Sequence, residues 1–137
     1  MSKLVPLFLA LAASLSAHHS IDAVYSRAAE ADYKVTVTKV TWMNPHAKFT
    51  ATQDLPNGTK VTWSFELAAV NRLFNDGWTR DTLKPGDTIT VNAFPAKDGS
   101  FKGSVVRIVW PDGRTKENND HWDMVRFPGT IKLGTSK

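Results

Sequence analysis

Between Tyr33 and Trp42 the chain alternates. Tyr33, Val35, Val37, Lys39 and Thr41 fall on one side, and Lys34, Thr36, Thr38, Val40 and Trp42 on the other. This β-branched and aromatic run predicts a long first strand, one face of which is less purely apolar than a core face usually is. Asn44-Pro45 interrupts it, because proline cannot donate to a ladder and pushes the preceding residue toward extended geometry. His46 to Gln53 resumes a strand-like pattern, and Leu55-Pro56-Asn57-Gly58 ends it with a hairpin signal. In the third strand Val61, Trp63, Phe65 and Leu67 line one face and Thr62, Ser64 and Glu66 the other.

Leu67, Val70, Leu73 and Phe74 then fall at helical spacing, with Gly77 placed as a C-cap. Leu83-Lys84-Pro85-Gly86-Asp87 puts proline and glycine where a type II turn wants them, and Ile89, Val91 and Ala93 follow with period two. Asp98-Gly99 marks another hairpin, and Phe101 to Trp110 reads as the fifth strand, closed by Pro111-Asp112-Gly113. Three strands, one short helix and two strands (β-β-β-α-β-β) predict a mainly β domain over residues 32–113. The architecture expected is a small five-stranded OB-like barrel. A five-stranded β-sandwich or half-barrel with the same hairpins is the alternative, since the pattern alone does not fix closure.

The flanks look different. Residues 18–31 lack a clear period and read as an N-terminal arm. Residues 114–137 are polar, with Trp122, Val125 and Phe127 as docking residues, and read as a loosely packed tail. Residues 1–17 have the layout of an export signal: Lys3, an apolar run from Leu4 to Ala13, and the small-residue stretch Ser14-Leu15-Ser16-Ala17. The apolar run is about ten residues, short of the ~20 that cross a bilayer as a helix, and no later segment comes close. The expectation is a periplasmic or secreted protein with no membrane span once the signal is removed. Cleavage after Ala17 exposes His18 as the new terminus, and cleavage after Ser16 leaves Ala17-His18-His19.

Loss of residues 1–17 removes Lys3 from the 17 basic residues, leaving 16 against 13 acidic ones, a mild net charge of +3. The remaining length suits one domain with its own core. The cations are scattered, with no run to neutralise phosphates, so nucleic acid is not expected as a partner. With no cysteine, a disulfide framework, a thiolate metal site and a cysteine nucleophile are all excluded, and any metal is expected to sit on nitrogen and oxygen. No serine, histidine and acid arrangement has a nucleophile context, and no close carboxylate pair suggests glycoside hydrolysis. Binding is therefore favoured over catalysis. A copper monooxygenase of the terminal-histidine type is the remaining enzymatic reading.

Several segments together carry a resemblance. They are Ala17-His18-His19-Ser20 after the export signal, Val40-Thr41-Trp42-Met43-Asn44-Pro45-His46, Trp63-Ser64-Phe65-Glu66, Gly77-Trp78 and Leu83-Lys84-Pro85-Gly86-Asp87. In this order the chain resembles small exported bacterial proteins grouped only as a domain of unknown function, of the 6152 type. The resemblance covers residues 17 to about 113 and implies a periplasmic protein without an established activity. The chain departs from that pattern in two places. The arm between Ser20 and Asp32 lacks a phenylalanine-rich stretch, and Lys39 stands where the family has a strand glycine.

The histidines supply the candidate chemistry. His18, His19 and His46, with the α-amine freed by cleavage, make a nitrogen-rich set that suits copper(II), which tops the divalent affinity order and favours tetragonal nitrogen donors. Zinc ranks second. Both amine and imidazole bind only when deprotonated, so affinity should fall in acid. Pro45 restricts the backbone before His46, which would hold that ring on the barrel while the arm brings the other ligands. Glu66 is a candidate to orient a ligand histidine. Plainer readings stand beside these: the His18-His19 pair as a frayed terminus, and His46 as a turn residue whose ring caps a neighbouring carbonyl. His121, in a polar stretch, is the weakest ligand candidate. Trp42 and Trp110, beside turns, are candidates for an aromatic surface that binds a small molecule, glycan or partner protein without metal, whereas Trp63 reads as core.

Overall fold

The computed structural model describes residues 20–118. In chain order it contains α1 (Ser20–Val24), a single 3-10 turn (Arg27–Ala29), β1 (Ala31–Thr41), β2 (Lys48–Asp54) and β3 (Lys60–Glu66). Then come α2 (Val70–Asn75), β4 (Thr88–Pro95), β5 (Lys102–Val109) and β6 (Thr115–Glu117). The strands form one sheet in the order β3-β2-β1-β4-β5-β6, and β3 also pairs with β5 in parallel. That pairing closes β1 to β5 into a five-stranded barrel, with β6 outside it on β5. Closure removes the sandwich and half-barrel alternatives. Among the described residues no helix is long and apolar enough to cross a membrane.

Closure depends on a residue that has no side chain. Gly103 lies opposite Phe65 at the parallel seam and opposite Pro95 on the other side. A Cβ there would stand 2.9 Å from Phe65 Cε1 and 3.3 Å from the Ala93 Cβ, inside contact distance. The barrel holds one apolar core that includes Val35, Val37, Phe49, Trp63, Phe65, Leu73, Ile89, Val91 and Ile108. Trp63 and Phe65 stack within it at 8° and 5.4 Å between centroids. α2 caps one end through Val70 and Leu73, and the chain leaves it through Gly77 at φ +81°, a C-cap that glycine adopts without strain.

The mixed face of β1 has a local cause. The register against β2 shifts between Val37 and Lys39. Val35 and Val37 are buried before this bulge, and after it the phase inverts, so that Val40 and Trp42 pack against the core while Lys39 is exposed. Strict alternation had put Lys39 and Thr41 on the core side. The bulge also sits where the family resemblance noted Lys39 in place of glycine.

Two boundaries differ from expectation. β2 begins at Lys48, so His46 belongs to the connection before it. The chain after Arg114 does not leave the barrel at once. Residues 115–117 pair with β5, and Asn118, 3% exposed, accepts from the Ala68 amide at 2.8 Å and donates to the Val105 carbonyl at 2.8 Å. The loose-tail expectation for 114–137 therefore does not hold for its first residues. The rest of that segment, with His121, Trp122, Val125 and Phe127, lies outside the described residues.

Candidate functional site

The β1–β2 connection, residues 42–47, folds over the end of β3. Ala47 donates to the Ala68 carbonyl at 3.1 Å, and Leu67 donates to the Ala47 carbonyl at 2.8 Å. These bonds fix the backbone beside His46, whose Nδ1 lies 3.0 Å from the Leu67 carbonyl oxygen. A carbonyl can only accept, so Nδ1 carries the proton and, in the neutral ring, Nε2 keeps its lone pair. No hydrogen bond to Nε2 occurs among the described residues. The plain turn reading of His46, a ring capping a carbonyl, is thus present. It is also the arrangement that orients an imidazole for a ligand at its other nitrogen.

Glu66 ends β3 on the outward face, opposite Lys48 in the ladder. Its Oε1 stands 3.6 Å from His46 Nδ1, too long for a hydrogen bond. Its Oε2 accepts from the Tyr25 hydroxyl at 3.1 Å. Burial raises the Tyr25 hydroxyl well above its ordinary pKa, and the charge of Glu66 and the hydrogen bond to it push the same way. Tyr25 therefore remains a protonated donor, and Tyr25, Glu66 and His46 form a connected row at one rim of the barrel.

Tyr25 also anchors the arm. It bridges to Ala96, Ser26 donates to the Pro95 carbonyl at 2.9 Å, and Lys97 donates to the Val24 carbonyl at 2.8 Å. With Phe94 and Ala96 it makes a small apolar cluster outside the main core. Lys97 Nζ further donates to the Asp22 carbonyl, and Arg27 pairs with the Asp22 carboxylate at 2.7 Å. The arm, aperiodic in sequence, is thus attached at its C-terminal half. His18 and His19 lie outside the described residues. Among the described residues no three His, Asp or Glu side chains converge. The barrel's own contribution is the His46–Glu66 pair.

The family's sequence profile matches residues 7–105. The chain belongs to DUF6152, a family of unknown function. No curated protein and no solved structure matches it. The matched span takes in His18, His19, Tyr25, His46 and Glu66, and it ends within β5, before β6 and Asn118.

Within this DUF6152 barrel the two tryptophans expected at the surface part company. Trp110 is 6% exposed, its Nε1 donates to Asp87 at 3.4 Å, and the Arg114 guanidinium covers its ring at 5.3 Å. It is packed, not a free platform, and only its margin reaches shallow depressions beside Lys34 and Lys116. Trp42 is half-buried and tilts against Phe74 at 5.7 Å, next to exposed Met43 and Phe74. Trp63, expected in the core, is there, with its Nε1 donating to Gln53 at 2.8 Å.

Sequence reasoning missed Tyr25 and Asn118. Tyr25 had one visible signal, as the single aromatic ring between residues 18 and 31. Asn118 had none, because a polar residue in a polar stretch gives no hint that two backbone groups wait for it.

Proposed function

We propose that this chain is an exported metal-binding module for copper(II), with zinc as the less favoured ion. His46 supplies a fixed imidazole, and the processed N-terminus brings the α-amine with His18 or His19. Glu66 acts as the positioning carboxylate. The observation that carries the reading is the His46 ring itself: Nδ1 is committed to the Leu67 carbonyl beside Glu66, so Nε2 is the free donor. The Tyr25 anchor adds support. His18 is seven residues upstream of it, a span of about 25 Å at most when extended, which gives the terminus the reach to meet His46. A nitrogen-rich, cysteine-free set favours copper(II) over harder cations.

The test is intact mass of protein expressed with residues 1–17 and recovered after export, with and without copper(II), beside His46→Ala. The apo mass is expected to report cleavage after Ser16 or Ala17. One copper retained by the wild type and lost by the variant supports the site. Equal retention by both, or none by either, overturns the His46 role. A second reading, a metal-free binder of a small molecule, glycan or partner protein, is favoured by the exposed Met43 and Phe74 beside Trp42. Such a binder would be indifferent to His46→Ala.

A further inference from the structure

β6 comes to a forced end. Asn118 still follows the ladder, its amide donating to the Val106 carbonyl at 2.9 Å. Beyond that point the β5 edge is taken, because Lys102, Gly103 and Ser104 pair with β3. The chain cannot continue along β5, and residues 119–137 therefore start beside the Leu67–Ala68 peptide, where the Asn118 side chain holds the Ala68 amide. Ala68 stands two residues before α2. From Ala68 to Phe74 is about 14 Å at most, and Trp122, four residues past Asn118, has a reach of the same size.

Within that reach lies an aromatic surface with an unmatched charge. Phe74 shares the helical spacing of Val70 and Leu73 but not their burial, being 37% exposed. Its ring meets the half-buried Trp42 at 5.7 Å and the Arg80 guanidinium at 5.9 Å. Arg80 is exposed and has no carboxylate partner among the described residues. The segment that starts at Asn118 carries the complement: Asp120 and Asp123 flank Trp122, and Val125 and Phe127 follow. We propose that residues 120–127 dock back onto the Trp42–Phe74–Arg80 surface, with Trp122 against the exposed ring of Phe74 and the two carboxylates facing Arg80. Covering that ring removes apolar area from water. A tether of a few residues gives the segment an effective concentration on the order of millimolar, so a small surface suffices to hold it. Docked there, it occupies the surface that a metal-free ligand would otherwise use, and it does so whether or not His46 binds a metal.

Limited digestion with trypsin tests the docking, because a free tail is cut first. The full chain recovered after export offers one bond inside the docked segment, after Arg126, and one outside it, after Lys132. Trp122→Ser alters no residue of the barrel, and Arg80→Glu changes an exposed side chain, so neither threatens the fold. Each is expected to speed cleavage after Arg126 by about tenfold over the wild type while the rate after Lys132 stays the same. The ring signals of Phe74 should shift in Trp122→Ser and be insensitive to protein concentration. A rate after Arg126 that is unchanged by either substitution overturns the proposal. Phe74 signals that move with protein concentration and not with Trp122→Ser also overturn it, and make a second copy of the chain the occupant.

Discussion

Two connections join consecutive antiparallel strands at opposite ends of β2, and they solve the problem differently. The β2–β3 hairpin closes on itself. Gly58 donates to the Leu55 carbonyl at 2.9 Å, Leu55 donates to the Thr59 carbonyl at 2.8 Å, and the Thr59 amide donates to the Asn57 side chain at 2.9 Å. The β1–β2 connection is held from outside. Its bonds run from Ala47 to Ala68, from Leu67 to Ala47, and from the His46 ring to Leu67. A turn that satisfies its own backbone leaves nothing but solvated side chains at its tip. A connection tied to another part of the barrel presents side chains at fixed positions, and His46 stands on the second kind.

The comparison breaks most severely at Asn118. It holds the Ala68 amide, and the Leu67 carbonyl on the other end of that same peptide unit receives His46. Replacing Asn118 by leucine keeps the volume roughly similar but strands the Ala68 N–H and the Val105 carbonyl in a buried setting. Two such groups cost about 2–4 kcal/mol together. For a domain of this size that is a fall in melting midpoint of about 10 °C or more. The His46 ring resonances should move with it, while the amide signals of residues 55–59 stay in place. A variant melting within a degree or two of wild type would show that the peptide unit is held without Asn118.

Tyr25→Phe is expected to act next in size and on the same rim. Removing the hydroxyl leaves Glu66 one donor short in a half-buried position, a loss of about 1 kcal/mol near neutral pH. The pH dependence separates this from a packing defect. Folding raises the Tyr25 pKa above its unfolded value, so its contribution is fully present below about pH 10 and is lost as the pH climbs above that. Denaturant melts from neutral to alkaline pH should therefore show wild-type stability declining above about pH 10 and a shallower decline in Tyr25→Phe. Some slope persists, because burial raises Tyr33 in the same direction. Equal slopes in the two proteins would mean that the Tyr25–Glu66 bond is not formed in solution.

The contrast between the connections also explains what was legible in the sequence. Locally encoded pieces could be read directly: the Asn57-Gly58 hairpin, the Pro85-Gly86 turn with Gly86 at φ +94°, and the Gly77 cap each depend on residues a few positions apart. Their order was enough to indicate the barrel. What could not be read depends on distant partners. The bulge at Val37 and Lys39 inverts a face because the Val37 amide and carbonyl are taken by Asp87 and Gly86, 50 and 49 positions on. Closure rests on Gly103 meeting Phe65, and no periodicity encodes that meeting. At the rim, His46 and Glu66 were visible as residue types, and Glu66 was placed on the outward face by simple alternation. Tyr25 was lost in an aperiodic arm, and the burial of Trp110 could not be read because Asp87, which its Nε1 meets, lies 23 positions away.

The smallest effect sharpens the comparison from the hairpin side. Gly58 sits at φ +83° with nothing within 4 Å of where a Cβ would be, so Gly58→Ala adds backbone strain and no clash. The expected cost is about 1 kcal/mol, a drop of a few degrees in melting midpoint. Because the hairpin shares no hydrogen bond with the rim, Gly58→Ala combined with Tyr25→Phe should be additive to within about 0.5 kcal/mol. Asn118→Leu combined with His46→Ala should not be, since both act through the Leu67–Ala68 peptide. Coupling in the first pair as large as in the second would mean that both connections respond to one shared framework, and that the rim owes its rigidity to the barrel as a whole.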